Sequence, residues 1–317
     1  VSISWALGMT MNGASGNTLT EMQDVLGFST KENSEINQAY SMLIKYLPQA
    51  DASVELGIAN SIWAKEGVDF IPEFLETNKK FFEAEVTSLD FTKASSVKTI
   101  NDWVSANTKG KIESIIDRLD PSAVMMLINA VYFKGIWKYE FDKKDTYKWN
   151  FNNSDGSKPE IMMMYKSARF HKSSDSLCRY VQMPYGNGKF SMGILLPNEG
   201  IKLTQLQDKL DDGYLNMLIS SGKTSEVEVH FPRIELNYDN ELNDELIGLG
   251  MPSAFDGAKA DFSRLINTEV FKAYIGLVKH KSYLKIDEKG TEAAAVTSVE
   301  IRLTSIGPSG AFIVDRP

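Results

Sequence analysis

Residues able to do chemistry are few in this chain, and they are scattered. The three histidines, His171, His230 and His280, stand on separate segments, and none has a carboxylate or nucleophile spaced to act with it. No G-x-S-x-G, H-E-x-x-H or P-loop occurs. Gly186, Gly188 and Gly193 depart from the spacing of a nucleotide loop, and no strand–loop–helix unit surrounds them. Cys178 is the only cysteine, which excludes intramolecular disulfides and argues against a cysteine-ligated zinc site. Arg179 beside it is one cation, too little by itself to mark a reactive thiolate. The pattern argues against an enzyme and calls for no metal and no cofactor.

A different kind of chemistry is written into Asp287 to Ser305. By propensity, Glu292 to Val296 is a weak helix signal. As a strand it is more informative. Thr291, Ala293, Ala295, Thr297, Val299 and Ile301 then share one face, while Glu292, Ala294, Val296, Ser298 and Glu300 share the other. The segment therefore has two plausible states: an exposed loop entered through the flexible Gly290, and a strand whose small side chains slip between existing neighbours.

A strand of that kind needs a sheet to receive it, and the chain supplies the parts. Met125 to Phe133 is almost continuously apolar, as a central strand would be, and its Asn129 must find partners because an unpaired buried amide costs roughly 1–3 kcal/mol. Val54, Leu56, Ile58, Asn60 and Ile62 alternate as a second strand, and Val227, Val229 and Phe231 as a third. Val181 to Pro197 reads as a hairpin turning at Gly186-Asn187-Gly188. Helices are expected on either side of Gly13–Thr18, from Pro72, and over the stripe of Val97, Ile100, Trp103 and Val104 that stops at Gly110.

At 317 residues, 43% hydrophobic and 24% charged, the composition is that of a soluble globular protein. No apolar run reaches the eighteen or so residues of a membrane helix. A net charge of −8 argues against nucleic acid or an anionic membrane as a partner.

Several of these segments resemble the serpins in sequence and in order. Gly290-Thr291-Glu292-Ala293-Ala294-Ala295 resembles the serpin hinge, and Leu127-Ile128-Asn129-Ala130-Val131-Tyr132-Phe133-Lys134-Gly135-Ile136-Trp137 resembles the central strand with the tryptophan beyond its end. Gly13 to Thr18, Ile100 to Ile112, Leu246 to Ser263 and Ala311 to Pro317 are similar to further serpin stretches. The resemblance implies an α+β serpin fold, with mixed β-sheets, a large central sheet surrounded by helices, and a mobile reactive-centre loop at about 288–310. It also implies a single domain over 1–317 that lacks the family's N-terminal helix and strand and its C-terminal strands.

The same resemblance assigns roles. Glu288, Gly290, Thr291, Glu292, Ala293, Ala294 and Ala295 would form the hinge, and Ser2, Asn129, Trp137 and His280 the region where the sheet opens, with His280 meeting Asn129 and Ser2. The reactive bond is expected at Thr304-Ser305, with Arg302-Leu303 as second candidate. The partner would be a serine protease, elastase-like or subtilisin-like for Thr304 and trypsin-like for Arg302. The protein would be a monomer, extracellular by family, and an inhibitor; a non-inhibitory carrier or chaperone is the alternative.

Overall fold

In the computed structural model of the chain, residues 2–267, 272–291 and 310–317 are described. The elements run α1 (Ser2–Met11), α2 (Gly16–Val25), α3 (Asn33–Tyr46), β1 (Val54–Lys65), α4 (Pro72–Phe82), β2 (Glu85–Leu89), α5 (Ala94–Asn107) and β3 (Met125–Ile136). There follow β4 (Tyr147–Asn150), β5 (Glu160–Ser174), β6 (Cys178–Pro184), β7 (Ser191–Pro197), α6 (Leu203–Gln207), α7 (Asp212–Ser221), β8 (Lys223–Pro232) and β9 (Ile234–Glu241). The chain continues through α8 (Asn243–Leu249), β10 (Lys279–Ile286), β11 (Gly290–Thr291) and β12 (Phe312–Ile313). The expected helix at Pro72, the central strand and the hairpin are all present.

Two sheets organise these elements. The first has the strand order β2-β1-β3-β11-β10-β9, the second β12-β8-β5-β6-β7 with β4 added against β5. The described residues cluster into two compact units interleaved along the sequence. One contains Val1–Gln49, Leu56–Tyr132 and Asn237–Tyr283. Its helices bury Trp5, Met9, Met22, Phe74 and Phe82 in a common core. Its α5 sets Ile100 and Val104 among Trp63 of β1 and Ile128 of β3, so the apolar stripe read from sequence is the face that this helix lays on the strands.

The other unit contains Ala50–Glu55, Phe133–Leu236 and Leu284–Pro317. Its core joins Trp137, Met164, Val181, Tyr185, Val229, Ile286 and Phe312. The long β5–β8 pairing, antiparallel from Met163↔Pro232 to Lys172↔Lys223, is the frame on which that core is built.

Candidate functional site

The end of β10 turns through Asp287, Glu288 and Lys289 and returns as β11. The turn is closed by the Asp287 amide donating to Gly290 O at 2.9 Å and the Gly290 amide donating to Asp287 O at 3.2 Å. The Asp287 carboxylate accepts from the Lys289 amide at 2.9 Å, an Asx-type contact that fixes the turn. Beyond it, Ile286 pairs with Thr291 on one side, while Gly290 and Thr291 pair with Ile136 and Gly135 on the other. Both pairings are antiparallel, so these two residues already form a short strand between β3 and β10.

Glycine is required here for close approach. A Cβ on Gly290 would lie 1.9 Å from the carbonyl oxygen of Gly135, and one on Gly135 would lie 2.7 Å from the Tyr185 ring. Thr291 is 5% exposed, and its Oγ1 stands 2.5 Å from the Tyr185 hydroxyl. Tyr185 stacks on Trp137 with ring centroids 4.3 Å apart, and Trp137 donates from Nε1 to Asp287 O at 3.0 Å. The hairpin turn after β6 keeps Tyr185 in place: the buried Asp51 accepts from the Asn187 amide at 2.8 Å, and Gly186 donates to Ile136 O at 2.9 Å.

Glu288 is the charged centre of the collar. It is 2% exposed and accepts from Thr146 Oγ1 at 2.6 Å and from Arg233 Nε at 2.8 Å and Nη2 at 2.5 Å. Burial by itself would push this carboxyl up, but the Arg233 guanidinium and the Thr146 hydroxyl outweigh it and hold the group below the usual carboxylate range. The backbone is bound too, since Trp137 N donates to Lys289 O at 2.8 Å and Phe141 N to Glu288 O at 2.9 Å. Charge pair, aromatic stack and backbone contacts together define where the segment after β10 begins.

The sequence singled out Glu288, Gly290, Thr291 and Trp137, and the structure brings these four together. Glu292, Ala293, Ala294, Ala295, Arg302, Leu303, Thr304 and Ser305 lie outside the described residues. Asn129 donates to Asn60 Oδ1 at 2.8 Å and to Ala59 O at 3.4 Å, and its own Oδ1 is buried without a partner among the described residues. His280 packs its ring 5.9 Å from that of Tyr238, and burial lowers its pKa. Among the described residues no hydrogen bond joins His280 to Asn129. Ser2 opens α1, and its side chain is outside the described set.

Gly135, Thr146, Tyr185 and Arg233 are site residues that sequence reading did not assign. Arg233 follows Phe231-Pro232, and no periodicity links it to a residue 55 positions away. The remaining reactive groups stay apart. His230 meets Tyr147 OH at 2.6 Å through Nδ1, and His171 meets Ile219 O at 2.8 Å through Nε2. Cys178 is buried 3.3 Å from Tyr214 OH, and burial pushes its thiol up, away from a reactive thiolate. Among the described residues no cluster of His, Cys, Asp and Glu could hold a metal ion.

A family model described as serpin (serine protease inhibitor) matches residues 1–317. The human leukocyte elastase inhibitor is 32% identical over 328 residues, spanning 100% of this chain and 86% of that protein. Among solved structures, tengpin, a thermophilic serpin in its native state, superposes with a TM-score of 0.88 at 31% identity, covering 100% of this chain and 82% of that one. Thyroxine-binding globulin in complex with thyroxine gives 0.87 at 28% identity, covering 100% and 86%.

Proposed function

From membership of the serpin family, to which the whole chain belongs, we propose that this protein inhibits serine endopeptidases as a suicide substrate. The observation that carries the reading is β11. Its two residues are hydrogen-bonded between β3 and β10, with Thr291 buried, which is the opening of a strand addition. A protease attacks the loop beyond Thr291 and forms an acyl-enzyme with the residue before the scissile bond. Cleavage frees the upstream segment, which continues along the path that β11 has begun.

Thr291 to Thr304 is fourteen residues. At about 3.4 Å each, their insertion carries the tethered protease roughly 45–50 Å. Displacing a catalytic group by about 1 Å costs on the order of 10²-fold in rate, so distortion on arrival stalls deacylation. The uncleaved protein is on this account a kinetic trap. Thr291, Ala293, Ala295 and Thr297, the inward positions of the inserting strand, carry no bulky or charged side chain to oppose it.

The scissile bond is Thr304-Ser305, suiting elastase-like or subtilisin-like enzymes, and similarity to the leukocyte elastase inhibitor supports that class. Arg302-Leu303 with a trypsin-like enzyme is the second register. Incubation with an elastase, and separately with a trypsin, gives a band at the summed mass that survives denaturant and a new end at Ser305 or Leu303. Clean cleavage without that band overturns inhibition. It would favour instead a non-inhibitory carrier, the reading to which the thyroxine-binding neighbour lends support. The serpin family includes secreted members, and an extracellular site of action is tested by whether the protein is recovered from medium or from lysate.

A further inference from the structure

A cavity of about 440 Å³ adjoins Glu288 within one compact unit, and three lysines line it. Lys143 comes from the short helical turn Lys143–Asp145, Lys166 from β5, and Lys289 from the turn after β10. Among the described residues, none of the three ammonium groups has a hydrogen bond, an ion pair or an aromatic ring to rest on. Lys143 and Lys166 are nonetheless half-buried. One lysine of that kind is a buried stem leading its charge into water. Three that line a single cavity make it a cationic seat.

Each of these lysines stands on backbone that is already fixed. The Asp142 carboxylate accepts from the Lys144 amide at 3.0 Å, and Asp145 N donates to Asp142 O at 3.0 Å, which closes the turn at Lys143. Lys166 lies opposite Val229 in the β5–β8 ladder, and the Lys289 amide donates to the Asp287 carboxylate at 2.9 Å. Ordering on binding is thus confined to side chains, which lowers its cost. Carboxylates border the cavity as well, but they do not set its sign. Glu288 is already held by Arg233 and Thr146. Glu140 and Asp142 are exposed, so water and salt screen them more than they screen the half-buried Lys143 and Lys166. Phe141, itself 6% exposed, supplies an apolar stretch of the lining.

We propose that this cavity binds a small organic phosphate ester, with the phosphate among Lys143, Lys166 and Lys289 and the apolar part against Phe141. Lysine serves phosphate as a point charge, and a phosphomonoester carries close to two negative charges at pH 7. A singly charged ligand would satisfy fewer of the three ammonium groups, and an uncharged one would meet only Phe141. The volume falls in the range of small-molecule sites, about 300–1,000 Å³. The site does not depend on the inhibitory reading and stands whether or not the chain traps a protease.

Isothermal titration of the intact protein with phenyl phosphate at low salt tests the site, and saturable binding is expected in the millimolar range or tighter. Lys143→Met/Lys166→Met is expected to weaken it at least about tenfold, roughly threefold or more for each lost contact to a charged group. Lys144→Met, which removes the same charge from a neighbour that does not line the cavity, stays within about twofold. Glu140→Gln takes an opposing carboxylate from the lining and is expected to tighten binding about two- to fivefold, a gain that a misfolded variant cannot produce. Raising the pH through about 6 gives the ester its second charge and tightens binding further. Inorganic phosphate separates the sources: weaker binding than the phenyl ester supports an organic phosphate, and equal binding overturns the ester and leaves the seat to free phosphate. No saturable binding up to about 10 mM, or parent affinity in the double lysine variant, overturns the site.

Discussion

The two ends of the segment between Thr291 and Gly310 are anchored in opposite ways. At the near end, β11 lies inside a sheet, paired on both sides and set in a collar of buried charge and stacked rings. At the far end, β12 is the edge strand of the other sheet, parallel to β8 through Phe312↔Val229 and Ile313↔His230. Half-buried cations hold that edge: Arg179 donates from Nη1 to Ala311 O at 2.8 Å and lies 5.2 Å from the Phe312 ring, and Arg316 donates to Pro197 O at 2.8 Å. A strand begun between two neighbours can grow without exposing a polar edge. An edge strand offers no such slot, so the insertion proposed above would start from the near end.

The sharpest way to break that contrast is to charge the near end. Thr291→Arg puts a cation where the native residue is 5% exposed and faces Tyr185, at a cost of several kcal/mol for an unpaired buried ion. The variant is expected to be cleaved by the target protease with no denaturant-resistant complex; an undiminished complex band would show that this position need not enter the sheet. Arg233→Ala comes next. It strands the Glu288 carboxylate and lowers stability by about 3 kcal/mol in denaturant unfolding, the low end for a broken buried pair because the Arg233 side chain is 36% exposed.

The same pair sets a pH dependence. The folded-state pKa of Glu288 is depressed, so its contribution is fully present above the ordinary carboxylate pKa and is lost as pH falls through the lower folded value. Acid unfolding curves of the parent should therefore fall away more steeply in that window than those of Arg233→Ala. Gly290→Ala is smaller, about 1–3 kcal/mol by overpacking against Gly135 O, and is expected to expel β11 so that Thr291 becomes open to proteolysis. Arg179→Met has the least effect, about 1–2 kcal/mol for one hydrogen bond and one cation–π contact, and should leave the hinge region's hydrogen exchange unchanged while raising that of Phe312 and Ile313. Faster exchange at Thr291 in that variant would mean the two ends are coupled.

Much of the frame was legible in local pattern. The apolar run of β3, Pro72 at the start of α4, the 186–188 turn and the stripe of α5 are each set by neighbours in sequence, and alternation correctly put Thr291 on a buried face. The collar was not legible. Thr146, Arg233 and Tyr185 reach Glu288 and Thr291 across separations of 142, 55 and 106 residues, which no helical or strand period encodes. Gly135 was read as part of a motif, and only the Tyr185 ring packed against it, where a Cβ would lie 2.7 Å away, explains why it has no side chain. Asn129 was expected to need a partner and found Asn60, a neighbour that its own strand's pattern could not name.

The closed turn from Asp287 to Gly290 has a metrical consequence. Because its backbone is held by the Trp137 and Phe141 amides and its Glu288 carboxylate by Thr146 and Arg233, the proposed inserting strand would have a fixed zero. On the proposed insertion the travel of anything attached to the cleaved end would be a count of residues, and moving the cut from Thr304 to Arg302 would shorten the stroke by about 7 Å. The loop would in this sense be a gauge of fixed origin, its reading set by which bond is cut.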